Sequence, residues 1–221
     1  MIITKLGHSC LIVEEAGTRI LIDPGTYTFQ LNESALDSMK GIGAIFITHE
    51  HADHCDQEKL AVIIGASSNP AIYTTEALAT QLRAKGISAA ALRPGDVITS
   101  GSFTIKGVDC RHGTLPAGFP TPQNVGLLIN DELFHPGDCT LMEQPPKARI
   151  LALPAIAPWG STTQAVTFTG QVKPELVFPI HDAIMRFPEL TNFILQKSCD
   201  HLQIVYKPLG PGDALDVPRR S

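Results

Sequence analysis

Within Thr48-His49-Glu50-His51-Ala52-Asp53-His54, three imidazoles and a carboxylate fall within six residues. Neutral imidazole is the commonest nitrogen donor to borderline divalent cations such as zinc, and a carboxylate adds a harder oxygen. The segment leaves an apolar run that starts at Ala44. A chain emerging there can curl so that His49 and His51 face one cation while Asp53 and His54 face another. Turn chemistry rarely gathers so many histidines without purpose. Closed structural zinc sites rely mainly on cysteine thiolates. The pattern therefore points to a site open to water.

Six residues cannot close two coordination shells, so further ligands are expected where other strands end, on loops held by a rigid scaffold. Three positions qualify: His112 after the strand ending in Cys110, Asp138 in His135-Pro136-Gly137-Asp138, and His181 after Leu176 to Ile180. Asp23, in Leu21-Ile22-Asp23-Pro24-Gly25, is expected to accept the N–H of a ligand imidazole and so fix its tautomer. Glu50 is expected to turn toward solvent or a backbone N–H, and His135 to be buried and hydrogen-bonded. Gly113 to Gln123 carries three prolines and reads either as a flap presenting Phe119 and Leu115 or as an ordered surface loop. Trp159, the one tryptophan, reads as a pocket wall or as a core or subunit-contact aromatic.

The elements that must position these residues are short. Ile2-Ile3, Cys10 to Val13, Arg19 to Ile22, Ala44 to Thr48 and Ala71 to Thr74 are expected strands. Helices are expected over Gln57 to Gly65 and Thr75 to Lys85, the latter stopped at Gly86. A second strand-rich stretch follows: Val97 to Thr99, Phe103 to Cys110, Val125 to Ile129, Leu133-Phe134, Arg149 to Leu153 and Leu176 to Ile180. Helices near Thr162 to Thr169 and over Phe187 to Cys199 and a last strand at Gln203 to Tyr206 complete it. Strands first, then strand and helix alternating, then the same scheme again: this predicts two β layers with helices outside, in one domain spanning 1–221.

Composition narrows the function classes. The 221 residues are 43% hydrophobic, enough for a sizeable core, and the formal net charge is -5. Phosphate neutralisation needs clustered Lys and Arg, and the pair Arg219-Arg220 is too short to supply it, so nucleic acid is a disfavoured partner. The five cysteines are widely spaced with no Cys-x-x-Cys pair, which suggests reduced thiols. No apolar run approaches the roughly 20 residues that span a bilayer, and the N-terminus lacks a secretory pattern, so a cytoplasmic location is expected.

Taken together, His49-x-His51-x-Asp53-His54, His112, Gly137-Asp138 and Pro179-Ile180-His181, with Leu21 to Gly25 upstream, resemble the metallo-β-lactamase superfamily in motif and order. The resemblance runs from Lys5 to His181. It implies an α/β (α+β) fold, a four-layer αββα sandwich with a dinuclear metal site at one edge. It also implies that His49, His51 and His112 hold one ion, that Asp53, His54 and His181 hold the other, and that Asp138 bridges them. Leu6-Gly7-His8-Ser9 is similar to the subgroup of ascorbate-6-phosphate lactonases and N-acylphosphatidylethanolamine-hydrolysing phospholipase D, which makes His8 a candidate contact for substrate or leaving group. His51 stands where flavin-linked di-iron members carry glutamate, which favours hydrolysis. Asp138 stands where β-lactamases often carry cysteine, which argues against antibiotic hydrolysis.

The expected chemistry follows from the ions. Two cations about 3.5 Å apart can share a water, lower its pKa and present hydroxide at neutral pH. Asp53 and Asp138, with His8, are the candidate catalytic groups. The substrate expected is a small-molecule ester, lactone or phosphodiester. The imidazole and carboxylate shell suits zinc first, with Mn2+ or Fe2+ also admissible. The rival readings are a ligand-binding protein of the same fold with little turnover and a nucleic-acid processing nuclease; a homo-oligomer is admitted by either.

Overall fold

The computed structural model describes residues 1–28, 37–67 and 69–218; Arg219-Arg220 lie outside the described residues. Among the described residues, fourteen strands form two seven-stranded sheets. The first contains β1 (Ile2–Gly7), β2 (Cys10–Glu15), β3 (Thr18–Ile22), β4 (Ile42–Ile47), β5 (Ala71–Thr74) and β6 (Ala90–Ala91). The second contains β7 (Val97–Ser100), β8 (Phe103–Asp109), β9 (Val125–Ile129), β10 (Leu133–His135), β11 (Ile150–Pro154), β12 (Leu176–Ile180) and β13 (Val205–Tyr206). The last strand, β14 (Ala214–Asp216), returns to the first sheet beside β1.

Both sheets follow one scheme. β1 to β3 pair antiparallel through tight turns, and β3 to β6 pair parallel. In the second sheet β7 to β10 are antiparallel and β10 to β13 parallel. Parallel neighbours need crossovers, usually helical. Among the described residues, four of these connections carry helices: α1 (Gln57–Ala66), α2 (Glu76–Ala84), α3 (Thr162–Val172) and α4 (Pro188–His201). The helix starts carry their own signals: Asp56 caps the Glu58 and Lys59 N–H groups, and Ser161 and Gln164 cap each other reciprocally.

Three apolar clusters fill the gaps between four layers. Between the sheets, Leu11, Val13, Ile20, Ile22 and Phe46 meet Phe103, Leu127, Ile129, Ile150, Phe178 and Ile180. On the outer face of the first sheet, Ile12, Leu21, Ile45 and Ile47 pack against Leu60, Ile63, Leu78 and Leu82 of α1 and α2. On the outer face of the second, Leu151, Leu153 and Val177 pack against Phe168, Val172 and Leu195 of α3 and α4. Successive strand residues point to opposite faces, so strands covered on both sides read as unbroken apolar runs. The expected αββα sandwich is what forms.

Strand direction places the site. β3 and β4 are parallel, with Ile22 opposite Phe46, so Asp23 and Thr48 emerge side by side. In the second sheet β8, β10, β11 and β12 run in one direction, because two antiparallel steps separate β8 from β10. Their C-terminal ends deliver His112, Asp138 and His181 to the same edge. Pocketed sites outside the carboxyl ends of such strands are a general property of layered α/β sheets. Among the described residues, no helix is long and apolar enough to cross a membrane.

Candidate metal centre

The structure brings His49, His51, Asp53, His54, His112, Asp138 and His181 together at this edge. Two sets of ligand atoms lie within 4.8 Å of one another: His49, His51, His112 and Asp138 in one, and His8, Asp53, His54 and His181 in the other. Asp138 sits among the rings of both. Its Oδ2 is 3.3 Å from His112 Nε2, 3.3 Å from His181 Nε2 and 3.7 Å from His49 Nε2. Its Oδ1 is 3.0 Å from His54 Nε2. That last pair lacks hydrogen-bond geometry: His54 Nε2 and Asp138 Oδ1, like His112 Nε2, are buried without a hydrogen-bond partner among the described residues.

Hydrogen bonds on the far ring nitrogens decide the tautomers, because carboxylates and carbonyls only accept. His54 Nδ1 donates to Asp23 Oδ2 at 2.7 Å, His112 Nδ1 to the Gly113 carbonyl at 2.7 Å, and His181 Nδ1 to the Ile156 carbonyl at 2.7 Å. Thr48 Oγ1 donates to Asp23 Oδ2 at 2.8 Å and so accepts from His49 Nδ1 at 3.1 Å. Each ring in neutral form therefore turns its Nε2 lone pair toward the centre, the arrangement that supporting hydrogen bonds give metal-binding histidines. His49 Nε2 in turn faces His51 Nδ1 at 3.1 Å.

His8 differs from these rings. Its Nδ1 accepts the Ala183 N–H at 3.3 Å, so its single proton is on Nε2 and is donated to Asp53 Oδ2 at 3.1 Å. A neutral imidazole used in this way has no lone pair left for a cation. Its closeness to the second set reflects its hold on Asp53. His8 is fully buried.

Electrostatics favour cations at the centre. Burial would raise the carboxyl groups of Asp53 and Asp138, but the imidazoles around them outweigh it and hold both below the usual carboxylate range. Burial lowers His49 and His51, with neighbouring rings adding to the effect, and keeps them neutral. Burial opposes a charge on His54 and His181 as well, yet Asp138 and Asp23 raise the former, and Asp138 and Asp53 lift the latter to about 9. Protons on those two rings balance carboxylates that divalent cations would balance instead. The donor set and its orphaned buried atoms fit such ions.

The backbone under the site is strained in a consistent way. His8, Asp23 and His181 all have left-handed φ, at 47°, 46° and 58°, a conformation costing of order 1–3 kcal/mol each outside glycine. Asp23 is held by its N–H to the Phe46 carbonyl at 3.0 Å. Its carboxylate takes the Thr48 N–H at 2.7 Å besides the two bonds already described. Gly25 packs flat on the Asp53–His54 peptide, where a Cβ would overlap the Asp53 carbonyl.

Trp159 is half-buried and donates its indole N–H to Asp138 Oδ2 at 3.1 Å, with its ring against His112 and His181. It lies on the wall of the candidate site, against the carboxylate and two of the rings. Phe119 is 67% exposed, consistent with its place on a surface segment. Glu50 departs from expectation: its Oε2 is buried with no hydrogen-bond partner among the described residues. His135 is buried as expected, bonding the Ser9 carbonyl and accepting the Gly137 N–H. Cys55, Cys110 and Cys139 are buried free thiols.

Two supporting residues escaped the sequence reading. Thr48 ties Asp23 to His49, and its place directly before the histidines was a usable signal. Asn124 accepts the Asp138 N–H at 3.2 Å and donates to the Cys110 and Pro136 carbonyls, both at 3.0 Å, joining the two loops that carry His112 and Asp138. Nothing in its sequence surroundings marks it.

Comparison with known proteins adds a family context. A model described as a beta-lactamase superfamily domain matches residues 2–181. Protein Rv0786c of Mycobacterium tuberculosis is 33% identical over 190 residues, covering 84% of this chain and 85% of that one. A UPF0173 metal-dependent hydrolase of Methanocaldococcus jannaschii is 27% identical over 192 residues, 81% of this chain and 83% of that protein. Among solved structures, Igni18, a novel metallo hydrolase from the archaeon Ignicoccus hospitalis, matches with a TM-score of 0.80 at 21% identity over 99% of each chain. That likeness is one of fold.

Proposed function

The chain belongs to the beta-lactamase superfamily, and from that membership we propose that it is a metal-dependent hydrolase with a dinuclear centre. The observation that carries this reading is Asp138: a buried carboxylate whose two oxygens face imidazoles of both ligand sets, one of them with no hydrogen-bond partner among the described residues. His49, His51 and His112 would hold one divalent cation, Asp53, His54 and His181 the other, and Asp138 both. Imidazole with carboxylate suits zinc, and Mn2+ or Fe2+ as well. Bound there, two such ions supply Lewis acidity toward the substrate oxygen and a water activated at neutral pH.

The chain's own groups do the rest. Asp53 is the most accessible carboxylate of the centre, its side chain 23% exposed. His8 and His181 both approach its Oδ2, at 3.1 and 3.3 Å. Its Oδ1 would orient the attacking water and receive its proton. His8 holds that carboxylate in rotation without competing as a ligand. Trp159 and Asn124 both hold Asp138, one through a carboxylate oxygen and one through the backbone.

The substrate class proposed is a small-molecule ester, lactone or phosphodiester. The test is turnover of a panel of all three by metal-loaded protein, beside Asp53→Asn. Hydrolysis of at least one class, reduced at least a hundredfold in Asp53→Asn, supports the reading. Full metal loading with no turnover would leave a ligand-binding protein, and cleavage confined to structured RNA would leave a nuclease.

A further inference from the structure

His181 reaches the centre from β12 in the second sheet, whereas Asp53 and His54 come from the loop after β4 in the first. A metal position shared between them exists only if the two sheets are held in register at this corner. The turn Pro179-Ile180-His181-Asp182-Ala183 also carries the left-handed His181. Something must hold it.

Lys5, on β1 of the first sheet, is 1% exposed, among the largest fully buried side chains. Its ammonium crosses to the second sheet and donates to the Pro179 carbonyl at 2.8 Å and to Asp182 Oδ2 at 2.6 Å. These bonds grip the turn two residues before His181 and one residue after it. Two further ties from this turn to the first sheet are longer, His181 N–H to the His8 carbonyl at 3.3 Å and Ala183 N–H to His8 Nδ1 at 3.3 Å. A buried ammonium is costly unless it is paired and hydrogen-bonded, and an apolar residue would suit the interior of a strand better. Here the charge is spent on one short turn.

We propose that Lys5 is a positioning residue for the second metal position: its ammonium locks the His181 turn of one sheet to β1 of the other. The inference rests on the proposed metal centre. It assigns no such role at the first position, where the Val125 N–H meets the Thr48 carbonyl at 3.0 Å across the sheets without Lys5.

The test compares wild type, Lys5→Met and the double variant Lys5→Met/Asp182→Leu, the last removing both charges so that no carboxylate is left unpaired. Folding is checked by circular dichroism, and cobalt binding is followed by its visible absorption with chelator competition. In both variants one ion should bind as in wild type and the other roughly ten- to a hundredfold more weakly, the usual effect of losing a ligand's outer support. A general loss of stability would weaken both positions together, and that result overturns the assignment. Two ions at wild-type affinity in a folded variant overturn it as well, while leaving the metal centre standing. A wild type that binds no cobalt overturns the centre itself.

Discussion

The Trp159 indole N–H donates to Asp138 Oδ2 at 3.1 Å, and the same oxygen lies 3.3 Å from both His112 Nε2 and His181 Nε2. An aromatic side chain thus restrains a carboxylate that lies among rings of both candidate ligand sets. Trp159→Phe keeps an aromatic ring against His112 and His181 but removes the donor. Metal affinity should fall about tenfold, with folding stability changed by about 1 kcal/mol or less. Chelator competition measures the first and urea unfolding the second. Unchanged affinity would mean that the hydrogen bond restrains nothing.

Asp23 accepts from Thr48 N, Thr48 Oγ1 and His54 Nδ1 at 2.7, 2.8 and 2.7 Å, with no exposure to solvent. Asp23→Asn sets an amide N–H against one of these donors. A buried group left without its partner costs about 1–3 kcal/mol, so the metal-free variant should unfold at correspondingly lower urea. It should also bind metal more weakly. An unfolding curve superposable on wild type would contradict the network.

Most of the candidate centre was legible in the sequence, for a physical reason. Ligands at strand ends follow apolar runs, so His49, His112 and His181 each announce themselves by a polar residue ending a buried strand. Asp23 was readable in the same way. What escaped depends on which loops meet in space. Trp159 could be read as a pocket wall, but its bond to Asp138 spans 21 residues of chain, and Asn124 has no apolar pattern of its own. Strands β6 and β14 escaped because Ala90–Ala91 and Ala214–Asp216 pair through the backbone of β5 and β1, with almost no side-chain pattern to show it. Boundaries moved for related reasons: β1 extends to Gly7 because its alternate residues face the core.

Gly25→Ala tests the loop from beneath. The added methyl overlaps the Asp53 carbonyl and crowds His54 N, so the Asp53–His54 backbone must move. Overpacking of this kind costs about 1–3 kcal/mol. The variant should remain folded by circular dichroism while losing affinity at the position served by Asp53 and His54. Two tightly bound ions in Gly25→Ala would show that the peptide tolerates the shift.

Stability of the metal-free protein should depend on pH through His181. Its folded-state value is raised from 6.5 to about 9 against the opposing effect of burial, chiefly by Asp138 and then Asp53. A raised base contributes stability that is fully present below its unfolded value and is lost as pH climbs through the folded one. The chelated protein should therefore lose stability between about pH 6.5 and 9, and this loss should shrink in His181→Gln. Thermal melts at pH 6 and pH 9.5 for both chains decide it; equal losses in the two would remove His181 as the cause.

The most direct measurement is metal content per chain by elemental analysis, for wild type, His51→Ala and His181→Ala. Two divalent ions per wild-type chain are predicted, with each variant keeping one tightly and losing its hold on the other. A wild type that stays metal-free after exposure to zinc, manganese and iron would contradict the dinuclear centre, and the hydrolase reading with it.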